Sequence, residues 1–101
     1  MALSYAYTAT LWRYPGEAGW HFLTLPLELA AEISEDTAAF RRGFGSVKVT
    51  ATVLGHSWST SLFPDSRSGT YLLPVKKAIR TAAGLEAGDQ TVVHLGVPEP
   101  G

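Results

Sequence analysis

Residues 46–63, "SVKVTATVLGHSWSTSLF", decide the fold class. From Ser46 the side chains alternate, with Val47, Val49, Ala51 and Val53 pointing one way and Ser46, Lys48, Thr50 and Thr52 the other. Successive side chains in a strand point to opposite faces, so this alternation predicts a strand with one buried and one wet side. "LGHS" (54–57) turns the chain, and "WSTSLF" (58–63) reads as the next strand. Trp58, Thr60 and Leu62 share one of its faces, opposite Ser59 and Ser61.

Working outward, "YAYTATLWRY" (5–14) is aromatic and β-branched with partial alternation, which suits a strand. "PGEAG" (15–19) is a turn, because Pro15 presets φ while Gly16 and Gly19 accept positive φ. "WHFLTL" (20–25) then reads as a second strand, which predicts a hairpin. Pro26 suits a first helical position, and "PLELAAEISEDTA" (26–38) predicts a short helix. Leu29, Ala30, Ile33 and Thr37 fall on its inner face, with Glu28, Glu32 and Glu35 mostly outward.

"FRRGFG" (40–45) connects that helix to the decisive stretch, "PDSRSG" (64–69) is a loop and "TYLL" (70–73) a brief strand. Pro74 is expected to open a second helix, "VKKAIRTAA" (75–83), with Val75, Ala78, Ile79, Ala82 and Ala83 inward and Gly84 as its stop. "LEAGD" (85–89) is a turn and "QTVVHLGV" (90–97) the last strand. The expectation is one domain over 1–101, with a core of about 5–96 and a tail at 97–101. Its class is mainly β (α+β): a small closed β-barrel of about six strands with two short helices, since closure removes exposed sheet edges.

Composition bounds the function. The chain has 101 residues, 46% hydrophobic and 17% charged, which is too apolar for a disordered segment. A formal net charge of −1 gives no long-range field to attract a polyanion, so nucleic acid is not the expected partner. There are no cysteines, which removes disulfides and thiolate chemistry and fits a reducing compartment. "MALSYAYTATLWRY" does not read as a signal peptide, and no apolar run approaches the roughly 20 residues that span a bilayer. A cytoplasmic protein without a membrane partner is expected.

Nearly the whole chain, about 5–96, resembles the domain of unknown function 1905 family. The resemblance rests on "WHFLTLP" near the start and on Gly55, Trp58, Ser61–Leu62, Pro64, Gly69, Tyr71, Leu73–Pro74, Lys76–Lys77, Arg80, Gly84 and Gly88–Asp89. It implies a compact closed β-barrel with helical connections and no established activity. Some members carry a fused YdeI/OmpD-associated domain, and none is expected here. "LLPVKKAIRTAAGLEAGDQTVV" (72–93) also looks like the AbrB-type swapped-hairpin DNA-binding domains, in sharing a strand ending in Pro, a basic helix and a Gly-Asp turn. Those domains lack this N-terminal half.

Candidate chemistry is sparse. His56, Ser57, Ser59, Ser61 and Asp65 contain the residue types of a hydrolytic set, yet His56 and Ser61 on one extended strand lie roughly 15 Å apart, beyond hydrogen-bond reach. No nucleophile elbow is present, so no catalytic residue is assigned and an enzyme is not the expectation. His21, His56 and His94 fall on three strands without ligand-pair spacing, so no metal or cofactor is assigned. "GFG" (43–45) lacks the third Gly and the following helix of a phosphate loop.

Two readings remain. Eleven aromatics exceed what a small barrel interior holds easily. Trp12, Trp20, Trp58, Phe63 and Tyr71 are expected to line a mouth carrying Ser61 and Arg80, giving the apolar wall and few polar groups of a ligand pocket. The named ligand-binding set is Trp58, Ser61, Tyr71 and Arg80; the bland alternative makes the aromatics core cover and pairs Arg80 with Asp65 or Asp89. The expected function is therefore a non-enzymatic small-ligand-binding or protein-interaction module. The alternative is a nucleic-acid-binding regulator acting through Lys76, Lys77 and Arg80 on the basic helix at 75–83, joined by Arg41, Arg42 and Lys48. Sequence does not set the oligomeric state.

Overall fold

The computed structural model describes residues 3–39 and 45–98. Residues 40–44 of the expected 40–45 connection, Arg41 and Arg42 included, and the end of the expected tail lie outside them. The elements are β1 (Leu3–Thr10), β2 (Trp12–Arg13), β3 (His21–Thr24), α1 (Leu27–Asp36), β4 (Val47–Val53), β5 (His56–Asp65), β6 (Thr70–Pro74), α2 (Lys77–Ala83) and β7 (Gln90–Val97). The decisive stretch behaves as its pattern demands: Val47, Val49, Ala51 and Val53 are all buried, and β4 pairs antiparallel with β5 from Val47↔Leu62 to Val53↔His56. Leu54 and Gly55 join them with φ of 50° and 81°, the doubly positive turn that matches strand twist.

The strands form one sheet in the order β1-β7-β4-β5-β6-β3-β2, every pair antiparallel. β5 turns the corner: His56–Leu62 pair with β4, whereas Phe63–Asp65 pair with β6. The sheet curls, but it is a half-barrel and not the closed barrel expected from sequence. Among the described residues no ladder joins β1 to β3. The expected first strand breaks at Leu11, which changes the chain's partner. Leu3–Thr10 pair with β7, Trp12–Arg13 pair with β3, and Leu11 exchanges backbone hydrogen bonds with Gly88 and Asp89.

Side chains span the open seam. The Tyr7 hydroxyl donates to the Leu23 carbonyl at 3.2 Å, and the Tyr5 hydroxyl donates to Asp36 at the end of α1. The helix thus lies across the seam, burying Ala30, Ile33 and Thr37 as its periodicity predicts. Leu23, Leu25, Leu62, Leu73, Val93 and Leu95 fill the concave side. Each such side chain contributes about 1.5–3 kcal/mol by leaving water. The buried threonines are satisfied: Thr37 and Thr70 donate to the carbonyls of Ile33 and Leu25, and Thr91 to that of Val92.

Three local expectations are corrected. Pro74 does not open a helix; it ends β6, paired with Phe22, and α2 starts at Lys77. Of the expected apolar side of α2, Val75 and Ile79 are buried and Ala83 is half-buried, while Ala78 and Ala82 are exposed. Val97, expected in the tail, ends β7 opposite Leu3 and is buried. Gly84 does stop α2, with φ of 66°.

Candidate functional site

Four elements converge on one concavity of about 660 Å³: the turn before β3, the middle of β5, the end of β6 and α2. Trp58, 6% exposed, belongs to its floor, because alternation along β5 turns it to the concave side beside Leu62. Trp20 and Phe63, 55% and 46% exposed, stand at its edge. The Val75 amide donates to the His21 carbonyl at 2.9 Å, which extends the β3–β6 contact and brings the start of α2 beside the aromatic turn.

The polar groups of this concavity are nearly all cationic or neutral. Lys76, Lys77, Arg80, His21, Ser59 and Thr60 line it, and no Asp or Glu among the described residues does. Arg80 Nη1 donates to the Val75 carbonyl at 2.6 Å, which holds the guanidinium against the end of β6. No described carboxylate pairs with it, so the expected alternative partners Asp65 and Asp89 are engaged elsewhere. Asp65 accepts from the Ser68 hydroxyl at 2.6 Å, and Asp89 from the Glu86 amide at 2.8 Å. The Ser68 hydrogen bond holds the Asp65 carboxyl below its ordinary range, with the amides of Arg67 and Ser68 and the Arg67 charge acting the same way. His21 Nδ1 lies 2.6 Å from the Gly19 carbonyl. A carbonyl only accepts, so Nδ1 carries the proton and Nε2 is the polar atom left for any other partner.

The structure splits the residues singled out from sequence. Trp58 and Arg80 meet in this concavity, joined by Trp20, Phe63, Lys76 and Lys77. Ser61 is not among its lining residues, although Ser59 and Phe63, on the same side of β5, are. Tyr71 is 5% exposed and borders a different depression, between α1 and the 65–70 loop, with Leu27 and Ala30. Trp12 lines a third, with Tyr14, Arg67 and Leu72. His56 and Ser61 lie on one unbroken strand facing opposite ways, so the triad geometry is absent. Among the described residues no group of three or more His, Asp or Glu is placed to hold a metal ion, and no helix is long and apolar enough to cross a membrane. His21, weighed from sequence only as a metal ligand, lines the concavity because the β3–β6 register brings it to α2.

The family described as Domain of unknown function (DUF1905) matches residues 7–95. This chain belongs to the DUF1905 family. The matched span runs from the middle of β1 to Leu95 in β7, so the DUF1905 unit includes every element that builds the concavity. No curated protein matches the chain.

Proposed function

We propose that this DUF1905 protein is a cytoplasmic, non-enzymatic binding module for a small anionic molecule with an apolar or aromatic body. The observation that carries the reading is the concavity's composition: three permanent cations and no described carboxylate, set against Trp20, Trp58 and Phe63. Its volume of about 660 Å³ suits a small ligand, and pockets of this kind combine apolar walls with few polar groups. Lys76, Lys77 and Arg80 would take the anionic group, Trp58 the apolar body, and His21 Nε2 a hydrogen-bond donor. The absence of cysteine fits the reducing compartment.

Thermal unfolding against a panel of aromatic carboxylates and organic phosphates tests this. A ligand at about 100 times its Kd raises stability by about 2.7 kcal/mol. Lys77→Ala, an exposed position, should abolish the gain from the best ligand while leaving the unliganded melting temperature unchanged. If no anionic compound shifts the melt, or if neutral analogues shift it equally, the reading fails.

A further inference from the structure

The convex face of β2, β3 and β6 carries rings where a soluble sheet normally carries polar side chains. Trp12 and Phe22 stand opposite each other in register with centroids 5.3 Å apart, and Phe22 stacks on Trp20 at 6.0 Å with planes 7° apart. Tyr14 meets Phe22 edge-on at 6.3 Å. The next row continues the surface, because Phe63 faces Leu72, which faces Thr24. Trp12 Nε1 donates to the Thr24 hydroxyl at 2.8 Å, which fixes the indole beside this row, tilted by 43° to Phe22. Tyr14, Trp20 and Phe63 remain 45%, 55% and 46% exposed. A contiguous aromatic surface this large is uncommon on a small domain and marks a binding face.

Charge selects the occupant. Arg67 borders the depression of Trp12, Tyr14 and Leu72 at one end of the platform, and Lys76 and Lys77 border Trp20 and Phe63 at the other. Glu28, Glu32, Glu35 and Asp36 all lie on α1, which has no cation, whereas Asp65, hydrogen-bonded by Ser68, lines the same depression as Arg67 and offsets its charge there. Glu17 lies in the turn before β3. The net charge of −1 therefore conceals a cationic end beside Trp20 and Phe63, an Arg67–Asp65 end beside Tyr14, and an acidic helix. Cations at both ends of a ring platform, with the excess at the Lys76–Lys77 end, match a polyanion with exposed flat faces at intervals, and a neutral sugar chain would have no use for them.

We propose that this face binds single-stranded nucleic acid, with unpaired bases stacking on Tyr14, Trp20 and Phe63 and phosphates reaching Arg67, Lys76 and Lys77. Stacking is sequence-tolerant because every base presents a π-face, whereas a duplex hides those faces. The platform extends beyond the small-molecule concavity, sharing Trp20, Phe63 and the two lysines with it, but Tyr14 and Arg67 lie outside that concavity.

Fluorescence anisotropy with a labelled oligothymidylate of about 12 nucleotides, within the site sizes of small β-rich binders, provides the test. The single strand should bind, the matching duplex much more weakly, and affinity should fall with salt. Tyr14→Ala should lower affinity at least about fivefold, the loss expected for one stacked base. Lys77→Ala should reduce the slope of log affinity against log salt by about 0.7, the value for one phosphate contact on a single strand. Far-UV circular dichroism of each variant, and Arg67→Gln as a second change outside the concavity, separate lost contacts from lost folding. Flat anisotropy at low salt, equal binding of duplex and single strand, or an unchanged affinity in folded Tyr14→Ala would overturn the proposal. So would a dimer in sedimentation velocity that Tyr14→Ala dissolves, since the face would then join copies of the chain. Loss of small-anion binding in Lys77→Ala, with oligothymidylate affinity unchanged in folded Tyr14→Ala, would leave the concavity reading standing and this one refuted.

Discussion

The two halves of the sheet share one core and differ on their outer faces. On β1 and β4 the outward positions are small or polar, Ser4, Ala6 and Thr8, then Lys48, Thr50 and Thr52, and β7 adds Gln90 and His94 around a lone exposed Val92; the Thr52 and Ser57 hydroxyls lie 2.7 Å apart. On β2, β3 and β6 the equivalent positions are Trp12, Phe22 and Leu72, with Tyr14 and Trp20 beyond the strand ends. Inner faces answer to packing, which accepts only apolar side chains of fitting volume. Outer faces have no such duty, so a departure from polar residues there points to a task other than folding. The polar half is what an idle outer face looks like, and the aromatic half is not idle.

The comparison can be broken most forcefully from the inside. Leu73→Ala in the aromatic half and Leu95→Ala in the polar half, both essentially buried, should each cost about 2–5 kcal/mol in denaturant unfolding. If one half tolerated its truncation, the two would not share a cooperative core. Next, Phe22→Ala removes the ring that touches Trp12, Tyr14 and Trp20, and should cost about 1.5–3 kcal/mol from lost burial and ring contacts.

Tyr7→Phe, at the seam between the halves, should cost about 1 kcal/mol, because it removes the hydroxyl's bond to the Leu23 carbonyl. It should also change the alkaline limb. Burial holds the Tyr7 phenol protonated far above its ordinary range, and burial with the Asp36 hydrogen bond does the same for Tyr5. Below about pH 10 both folded and unfolded chains keep these protons and stability is complete. Above it the unfolded chain releases them first, so stability is lost as pH rises, by up to about 1.4 kcal/mol per pH unit for each group. Tyr7→Phe should halve that slope; an unchanged slope would place the cause elsewhere. The smallest effect belongs to Thr52→Val on the polar outer face, within about 0.5 kcal/mol, and a larger loss would mean that this face is not idle.

Much of this architecture was legible in the residues. Alternation gave the buried set of β4 and β5, the helical spacing gave Ala30, Ile33 and Thr37, and Gly84 marked the end of α2. Closure was not legible, because periodicity says which side chains are buried and nothing about which edges meet. Leu11 looks like any other strand residue, and its change of partner depends on the distant 86–89 turn. Pro74 carries the signature of a helix start, yet a proline needs no ladder donor at a strand's last position, and that is where it sits. At the site, Trp58 and Arg80 were reachable from sequence because both fall near the β5–α2 contact. Ser61 lies outside the concavity while its same-face neighbours Ser59 and Phe63 line it, a selection that alternation along β5 does not make. Tyr71 was lost to the core because β6 is covered on its inner side by α1, which no local pattern announces.

The first described strand finds its ladder in the last, Leu3 opposite Val97. During synthesis residues 3–10 emerge early and must wait, a bare strand edge carrying two tyrosines, until residues 90–97 leave the ribosome. Pairing of such distant segments is slow, and the waiting edge is open to the wrong neighbour. The acidic helix that follows soon after, tied to this strand through Asp36 and Tyr5, is well placed to chaperone it in the interval.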